Sequence, residues 1–462
     1  MLNSADESQP ATPRPTVSAP ADTLTTVTAT PGQIQPGPNT SAQNWLYNGE
    51  FPGPELRVKE GDVLETTVRN DVSEGTTIHW HGVPVPNAMD GVPDVTQQPI
   101  APGETFTYKF RAEPAGTYFY HSHVGLQLDR GLLAPLVIEE QDPHVEYDRE
   151  YTVVVDDYLD QEPRPLSEVD SGQGPMGGGR GGRGGRGGMG SNGPGGMGNM
   201  GQMGDRRPPY AGLLINGRLP ADPQTFTVRE GERVRLRFVN AGSATAFRVR
   251  TAGHEMAVTH ADGRPVEPVT VDSFVFGAGE RYDAIVEADN PGTWEIRADA
   301  VNGGEPPARA LLQYQGSNGS PSGPSSGGRR LAYGDLRALS PLDGIDGRPD
   351  RQFDLTLSAG RGGSYEWLID GQAYPDADPL HVSEGDHVRV RMVNHSPVIH
   401  PMHLHGHFFQ VGNAVKDTVI VPGHMGEVTF DFVADNPGSW LFHCHNLYHL
   451  EAGMARVIQY VE

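Results

Sequence analysis

"VSEGDHVRVRMVN" (residues 382–394) turns on a Glu-Gly pair and then alternates apolar and polar residues up to an asparagine nine positions after the glycine. The run occurs twice more, as "VKEGDVLETTVRN" (58–70) and "VREGERVRLRFVN" (228–240). Each copy is followed by a second shared piece whose glycine lies 53 to 61 residues after the turn glycine: "AGTYFYHSH" from 115, "PGTWEIRAD" from 291 and "PGSWLFHCH" from 437. Three copies of one pattern mean three related domains. Period-two alternation, β-branched and aromatic residues and Pro/Gly turns dominate, so the chain reads as all-β, each domain a small antiparallel sandwich or barrel.

Boundaries follow from composition. Residues 1–30 read as a disordered tail, 31–145 as domain one, 146–320 as domain two, 321–345 as a linker and 346–462 as domain three. The Ser/Gly/Pro-rich stretch "GSNGSPSGPSSGG" (316–328) makes the second junction a flexible one.

The formal charge is -24, with lysine only at 59, 109 and 416. Nucleic acid and anionic membrane are poor partners for such a chain, since both would repel it. Strong acidity with arginine in place of lysine suggests a host living in high salt, where screening relieves self-repulsion; the alternative is an ordinary acidic secreted protein. No apolar run approaches the roughly 20 residues a membrane span needs, and "MLNSADESQP" lacks the basic-then-apolar order of a signal peptide. An extracellular or periplasm-like location is expected if a signal has been removed, a cytoplasmic one otherwise. A monomer is expected.

The copies differ in one chemical respect. Nine residues after the shared asparagine, domain one has "HWHG" (His79, His81) and domain three "HLHG" (His403, His405), whereas domain two has Val249 and Thr251. His121 and His123, and His443 and His445, likewise align with Arg297 and Asp299. Residues two apart on a strand share a face, so each His-x-His presents two imidazoles side by side and four pairs present eight. Eight is too many for one metal. A structural zinc closes with four ligands and usually takes cysteines, whereas two coppers with three imidazoles each and a third with two would use all eight. Domains one and three supply four each, so the cluster belongs between them, with domain two as a spacer.

"HCHNLYHLEAGM" (443–454) holds the chain's only cysteine. Cys444 lies between two clustered histidines and faces the other side of the strand, so it belongs to a second site. A thiolate, two histidines and a weak axial methionine is the ligand set of an electron-transfer copper, and His400, Cys444, His449 and Met454 supply it.

"HWHG", "HSH", "HPMHLHGH" and "HCHNLYHLEAGM" resemble the four copper motifs of the multicopper oxidases, in their three-domain order. The resemblance covers about residues 40–460. It implies three cupredoxin-like Greek-key domains and four coppers per chain. His79 and His403 match the type 2 ligands, and His81, His121, His123, His405, His443 and His445 the type 3 pair. His400, Cys444, His449 and Met454 match type 1. One-electron oxidation at type 1 and reduction of O2 to water at the other three coppers are implied. "HLEAG" (449–453) is similar to laccases, while Met454 replaces the Leu or Phe of many of them and should lower the potential. Asp90 in "NAMDG" matches the family's acidic residue beside type 2 copper, a candidate proton carrier. Glu451 is a weaker candidate.

A Gly/Met-rich insertion (175–205), with 16 glycines and five methionines, reads as disordered. Thioethers suit Cu(I), although Arg180, Arg183 and Arg186 would not help recruit a cation. The expected function is therefore a laccase-type oxidase (benzenediol:oxygen oxidoreductase) of phenols or aromatic amines. A cuprous or other metal oxidase is the alternative, and a non-enzymatic copper carrier fits worst.

Overall fold

The computed structural model describes residues 10–168, 206–360 and 365–462. In them the chain forms three β-sandwiches in sequence order, of four plus four, six plus five and six plus five strands. No helix among the described residues is long and apolar enough to cross a membrane.

The repeated motif does the same work in each domain. The short strand before the Glu-Gly turn (Leu56–Lys59, Gln224–Val228, Leu380–Val382) lies parallel to the domain's last strand (Leu133–Glu139, Ala308–Tyr314, Ala455–Tyr460). The strand after it (Val63–Asn70, Arg233–Asn240, His387–Asn394) joins the opposite sheet, parallel to that sheet's opening strand (Thr23–Gly37, Arg149–Tyr158, Arg351–Ala359). The chain thus changes sheets within a tight turn, and Gly61, Gly231 and Gly385 take φ of 87°, 87° and 90°, a region open mainly to glycine.

The shared asparagine has an equally plain reason. Asn70 Nδ2 donates to the carbonyls of Glu74 and Ile100, Asn240 Nδ2 to those of Thr245 and Phe276, and Asn394 Nδ2 to those of Val398 and Val421. Each side-chain oxygen also accepts the amide two residues on, at Val72, Gly242 and Ser396. One buried amide side chain therefore satisfies a loop that would otherwise leave carbonyls unpaired.

Two boundaries differ from the expectation. The tail expected over 1–30 gives way to strand by Thr23: Thr23–Ala29 pairs along Leu64–Asn70, with Val27 and Ala29 in the core. Pro10 bridges to Val461, and the Ala11 amide donates to the Tyr460 carbonyl (2.9 Å), so this segment is tied to domain three. The stretch expected to be a flexible linker is a strap on domain two. Ser322 bridges to Trp294, Arg330 to Ser273 and Ala338 to Val266, while Leu331 and Leu336 are buried. Those two leucines and the paired backbone outweigh the Gly/Ser composition on which flexibility was expected. The insertion over 175–205 lies outside the described residues.

Candidate metal centres

In domain one His79 faces His121 across the ladder, and in domain three His403 faces His443. His81 lies two residues along its strand, while His123, His405 and His445 lie just past the ends of theirs. Both hairpins therefore project four imidazoles from one end of a sandwich.

The two sets interlock. The His79 ring stacks on His405 at 3.9 Å and His81 on His403 at 3.8 Å, while His121 meets His445 at 5.4 Å and His123 meets His443 at 5.2 Å. Each domain-one ring is matched to one domain-three ring in reversed order, which is the relation of an approximate two-fold axis.

Buried nitrogens in this cluster are left without protein partners. His79 Nε2, His121 Nε2, His123 Nε2, His403 Nε2, His81 Nδ1 and both nitrogens of His445 have none, and His405 Nε2 and His443 Nε2 face each other at 2.9 Å. An orphaned buried polar atom costs about 1–3 kcal/mol, so this many in one place demand an occupant. Burial, reinforced by neighbouring imidazoles, holds His81, His121, His405, His443 and His445 well below the usual imidazole range and His123 down to about 3. Imidazole nitrogens with free lone pairs are metal ligands, and eight such rings with no thiolate suit copper. A cavity of about 20 Å³ lined by His121, His123, His443, His445, Leu128, Leu447 and Leu450 leaves room for a molecule the size of water or dioxygen.

The second centre forms where Cys444 points away from the cluster. His400 Nδ1 and His449 Nδ1 are 3.1 Å apart, and Cys444 Sγ is 3.6 Å from the first and 3.5 Å from the second. Donors on one ion at bond lengths of about 2.0–2.3 Å have about this separation. Ser396 Oγ lies 2.9 Å from His400 Nε2, which leaves Nδ1 for the metal. His449 is set by a five-residue helix, Leu447–Glu451, whose N-cap Asn446 accepts the amides of Tyr448 and His449. Met454 is fully buried, and its carbonyl accepts the Cys444 amide at 3.0 Å. Trp367 packs on His449 at 4.3 Å and His400 at 4.9 Å. Burial pushes the Cys444 thiol up, so a thiolate here depends on a bound cation.

Asp90 is fully buried against the cluster, its Oδ1 3.2 Å from His79 Nδ1 and its Oδ2 3.0 Å from His405 Nδ1. Gly91 follows at φ 78°, where a Cβ would stand 1.9 Å from the Ile78 carbonyl oxygen, so only glycine lets this turn approach the strand. Glu451, the other carboxylate considered, sits exposed at the end of the short helix, with no hydrogen bond or ion pair among the described residues.

Domain two is more than a spacer. Its Gly279 lies so close that a Cβ would come 2.9 Å from His81 and 3.0 Å from His445. Its Arg281 grips Asp417 of domain three with both arms, at 2.7 and 2.6 Å, and Asp417 Oδ1 stands 3.3 Å from His81 Nε2 and 3.4 Å from His403 Nδ1. Sequence reasoning missed Asp417, Arg281 and Gly279. The signal available was weak: Arg281 opens the strand Arg281–Glu287 and Asp417 stands in the break between Ala414–Lys416 and Thr418–Val421, neither inside a ligand motif.

Comparison with known proteins agrees with the geometry. Multicopper oxidase family models match residues 28–143, 192–317 and 347–462. Multicopper oxidase MmcO of Mycobacterium tuberculosis is 37% identical, over 94% of this chain and 86% of that protein. Copper resistance protein A of Escherichia coli is 29% identical over 90% of this chain and 89% of its own length, and Laccase-3 of Thanatephorus cucumeris 30% over 89% and 86%. With three matching models across most of its length and two ligand clusters of the donors copper prefers, the chain belongs to the multicopper oxidase family.

Proposed function

We propose that this oxidase is of laccase type, removing single electrons from phenols or aromatic amines beside His449 and delivering four electrons and four protons to each dioxygen to give two waters. The observation that carries the reading is the continuity of Cys444 with His443 and His445: one thiolate joins the two centres through two peptide units. Four coppers would fill the ligand set, one held by His400, Cys444, His449 and Met454, one by His79 and His403, and a pair by the remaining six histidines. Bound there, copper supplies single-electron acceptance at the first centre and multi-electron reduction of dioxygen at the second.

The protein's own groups do the rest. Trp367 and the half-buried Tyr365, Leu450 and Ala452 give the His449 side an aromatic and apolar lining, suited to a flat organic reductant. Asp90 carries protons to the cluster: among the described residues its Oδ1 has no hydrogen-bond partner, and no arginine or lysine is paired with it. The charge of -24, with Lys416 buried so that only Lys59 and Lys109 remain outside, supports a high-salt, extracellular or periplasm-like setting.

A second reading, oxidation of Cu(I), is favoured by one surface feature and one relative's name. Met425 is 62% exposed, and it and His424 hold left-handed φ of 67° and 57°. The His424 amide donates to the Ser396 carbonyl (2.8 Å), which places this thioether-bearing turn beside the residue that orients His400. Oxygen uptake driven by a dimethoxyphenol and by Cu(I), in the full chain and in one lacking 175–205, separates the two. Phenol-driven uptake that survives the deletion is expected. Absent phenol-driven uptake, or selective loss of Cu(I)-driven uptake on deletion, would make cuprous oxidation the primary activity.

A further inference from the structure

His81 is held the opposite way round from its neighbours. In His79, His121, His403 and His443 the Nδ1 donates to a backbone carbonyl, that of Asp90, Ser122, Asp417 and Cys444 respectively, and in His405 it donates to the Asp90 carboxylate. Their Nε2 atoms face the centre of the cluster. In His81 it is Nδ1 that has no partner, and Nε2 lies 3.3 Å from both Thr418 Oγ1 and Asp417 Oδ1. The Thr418 hydroxyl gives its only proton to Asp417 Oδ1 at 2.8 Å, so toward His81 it accepts.

The approximate two-fold axis makes this inversion interpretable. Asp90 touches the stacked pair His79 and His405, and Asp417 touches the stacked pair His81 and His403. Among the described residues, only Asp417 of the two is claimed by an arginine. Arg281 binds both its oxygens, Asp262 accepts the amides of Asp417, Thr418 and Arg281 at 3.2, 3.1 and 2.9 Å, and all of these side chains are fully buried. The glycine of "HWHG" leaves room for the pair, since a Cβ on Gly82 would come 2.4 Å from Arg281 Nη2 and 2.6 Å from Asp417 Oδ2.

We propose that Asp417, clamped by Arg281 of domain two, is a positioning residue that keeps the proton of His81 on Nε2 and so turns Nδ1 to the metal. Domain two, which lost the ligands, thereby sets the geometry of one of them. A carboxylate or hydroxyl on the far nitrogen of a ligating imidazole fixes its tautomer and ring orientation, and removing such a partner typically lowers metal affinity or activity about 10- to 100-fold. The inference rests on the copper reading only for its second measurement.

The first measurement needs no metal. In metal-free protein labelled with 15N-histidine, His81 is identified by the resonance lost in His81→Gln, and its two nitrogen shifts report the tautomer. Wild type is expected as a single Nε2–H species, and Asp417→Asn and Arg281→Gln as mixtures with Nδ1–H. Arg281→Lys keeps the charge without the fork and should fall between them, which also serves if Asp417→Asn does not fold. The second measurement is copper per chain after reconstitution: the two variants should lose copper from the histidine cluster while the blue thiolate absorption of the Cys444 centre stays at the wild-type level. A single unchanged tautomer in Arg281→Gln and Arg281→Lys, or full copper loading in both, would overturn the proposal. A wild-type protein that bound no copper at either centre would instead overturn the copper reading and leave the tautomer result standing.

Discussion

At the positions where domains one and three carry copper-ligand histidines, domain two carries Val249, Thr251, Arg297 and Asp299, and its hairpin is also paired differently. His79 faces His121 and His403 faces His443, but Val249 faces Ala298, one residue past Arg297. In a strand a slip of one residue exchanges the two faces. Domain two has therefore lost the alignment that would bring a pair of ligands together, not only the ligands. In their place Arg297 binds its near neighbour Asp299 at 2.7 Å, and Arg250 reaches the same carboxylate at 2.7 Å. Identical turns and identical asparagines in all three domains show that the scaffold tolerates either outcome. Ligand chemistry is a separate layer, written on one hairpin end.

That separation predicts where substitutions matter. Cys444→Ser should have the largest effect. A hydroxyl is a poor copper ligand, and loss of about 4 kcal/mol or more of transition-state stabilisation is about a thousandfold in rate. The blue absorption should vanish together with steady-state oxygen uptake, while copper in the eight-histidine cluster is retained. Turnover near the wild-type rate in this variant would remove Cys444 from the path.

Asp90→Asn tests the two-fold relation from its other side. The amide keeps the size of the side chain and removes the exchangeable proton, and loss of one general acid costs about 10²- to 10⁴-fold. Reduction of the Cys444 centre by substrate in the absence of oxygen should proceed at the wild-type rate, with reoxidation by oxygen slowed. Equal slowing of both half-reactions would assign Asp90 a structural role like that of Asp417.

Sequence pattern made the histidine cluster legible because its ligands come as His-x-His pairs at or just past the ends of period-two strands, and their absence at the aligned positions of domain two marked them as functional. Asp417, Arg281 and Asp262 carried no such mark: Asp417 meets the other two only when domains two and three assemble, over sequence separations of 136 and 155 residues. The opening strand was obscured for another reason. "TLTTVTATPGQIQPG" holds two prolines and its alternation changes phase around Pro31: Val27 and Ala29 face the core of domain one, whereas Ile34 packs with Ala42, Leu46 and Leu214. The strap of 316–345 was misleading by composition, since Leu331 and Leu336 anchor what its serines and glycines would leave free. Met454 stands between these cases, legible as a candidate ligand from its spacing and found buried beside Cys444.

Met454→Leu follows in size. Near-equal volume limits the loss of stability to less than about 1.5 kcal/mol. Removing a weak axial thioether should raise the potential of the Cys444 centre, and a tenfold change in the one-electron equilibrium is about 59 mV. Phenols of higher potential should then be oxidised several-fold faster, as a redox titration and a series of substituted phenols would record. An unchanged potential would show that Met454 does not reach the metal.

The smallest expected effect lies in domain two, where the comparison is sharpest. Arg297 and Asp299 align with His121 and His123, but their side chains remain 35% and 24% exposed, and Asp299 keeps Arg250 when Arg297 is removed. An ion pair so placed contributes about 0–1 kcal/mol, and salt screens it further. Arg297→Gln should thus shift the unfolding midpoint by no more than about 2–4 °C, and less at high salt. Oxygen uptake and copper content should stay at the wild-type level. His121→Gln, at the aligned position in domain one, should lose cluster copper and turnover together. If Arg297→Gln lowered oxygen uptake comparably, the corresponding face of domain two would have to be working in the reaction, and the division between scaffold and ligand layer would fail at the very position where the three copies diverge.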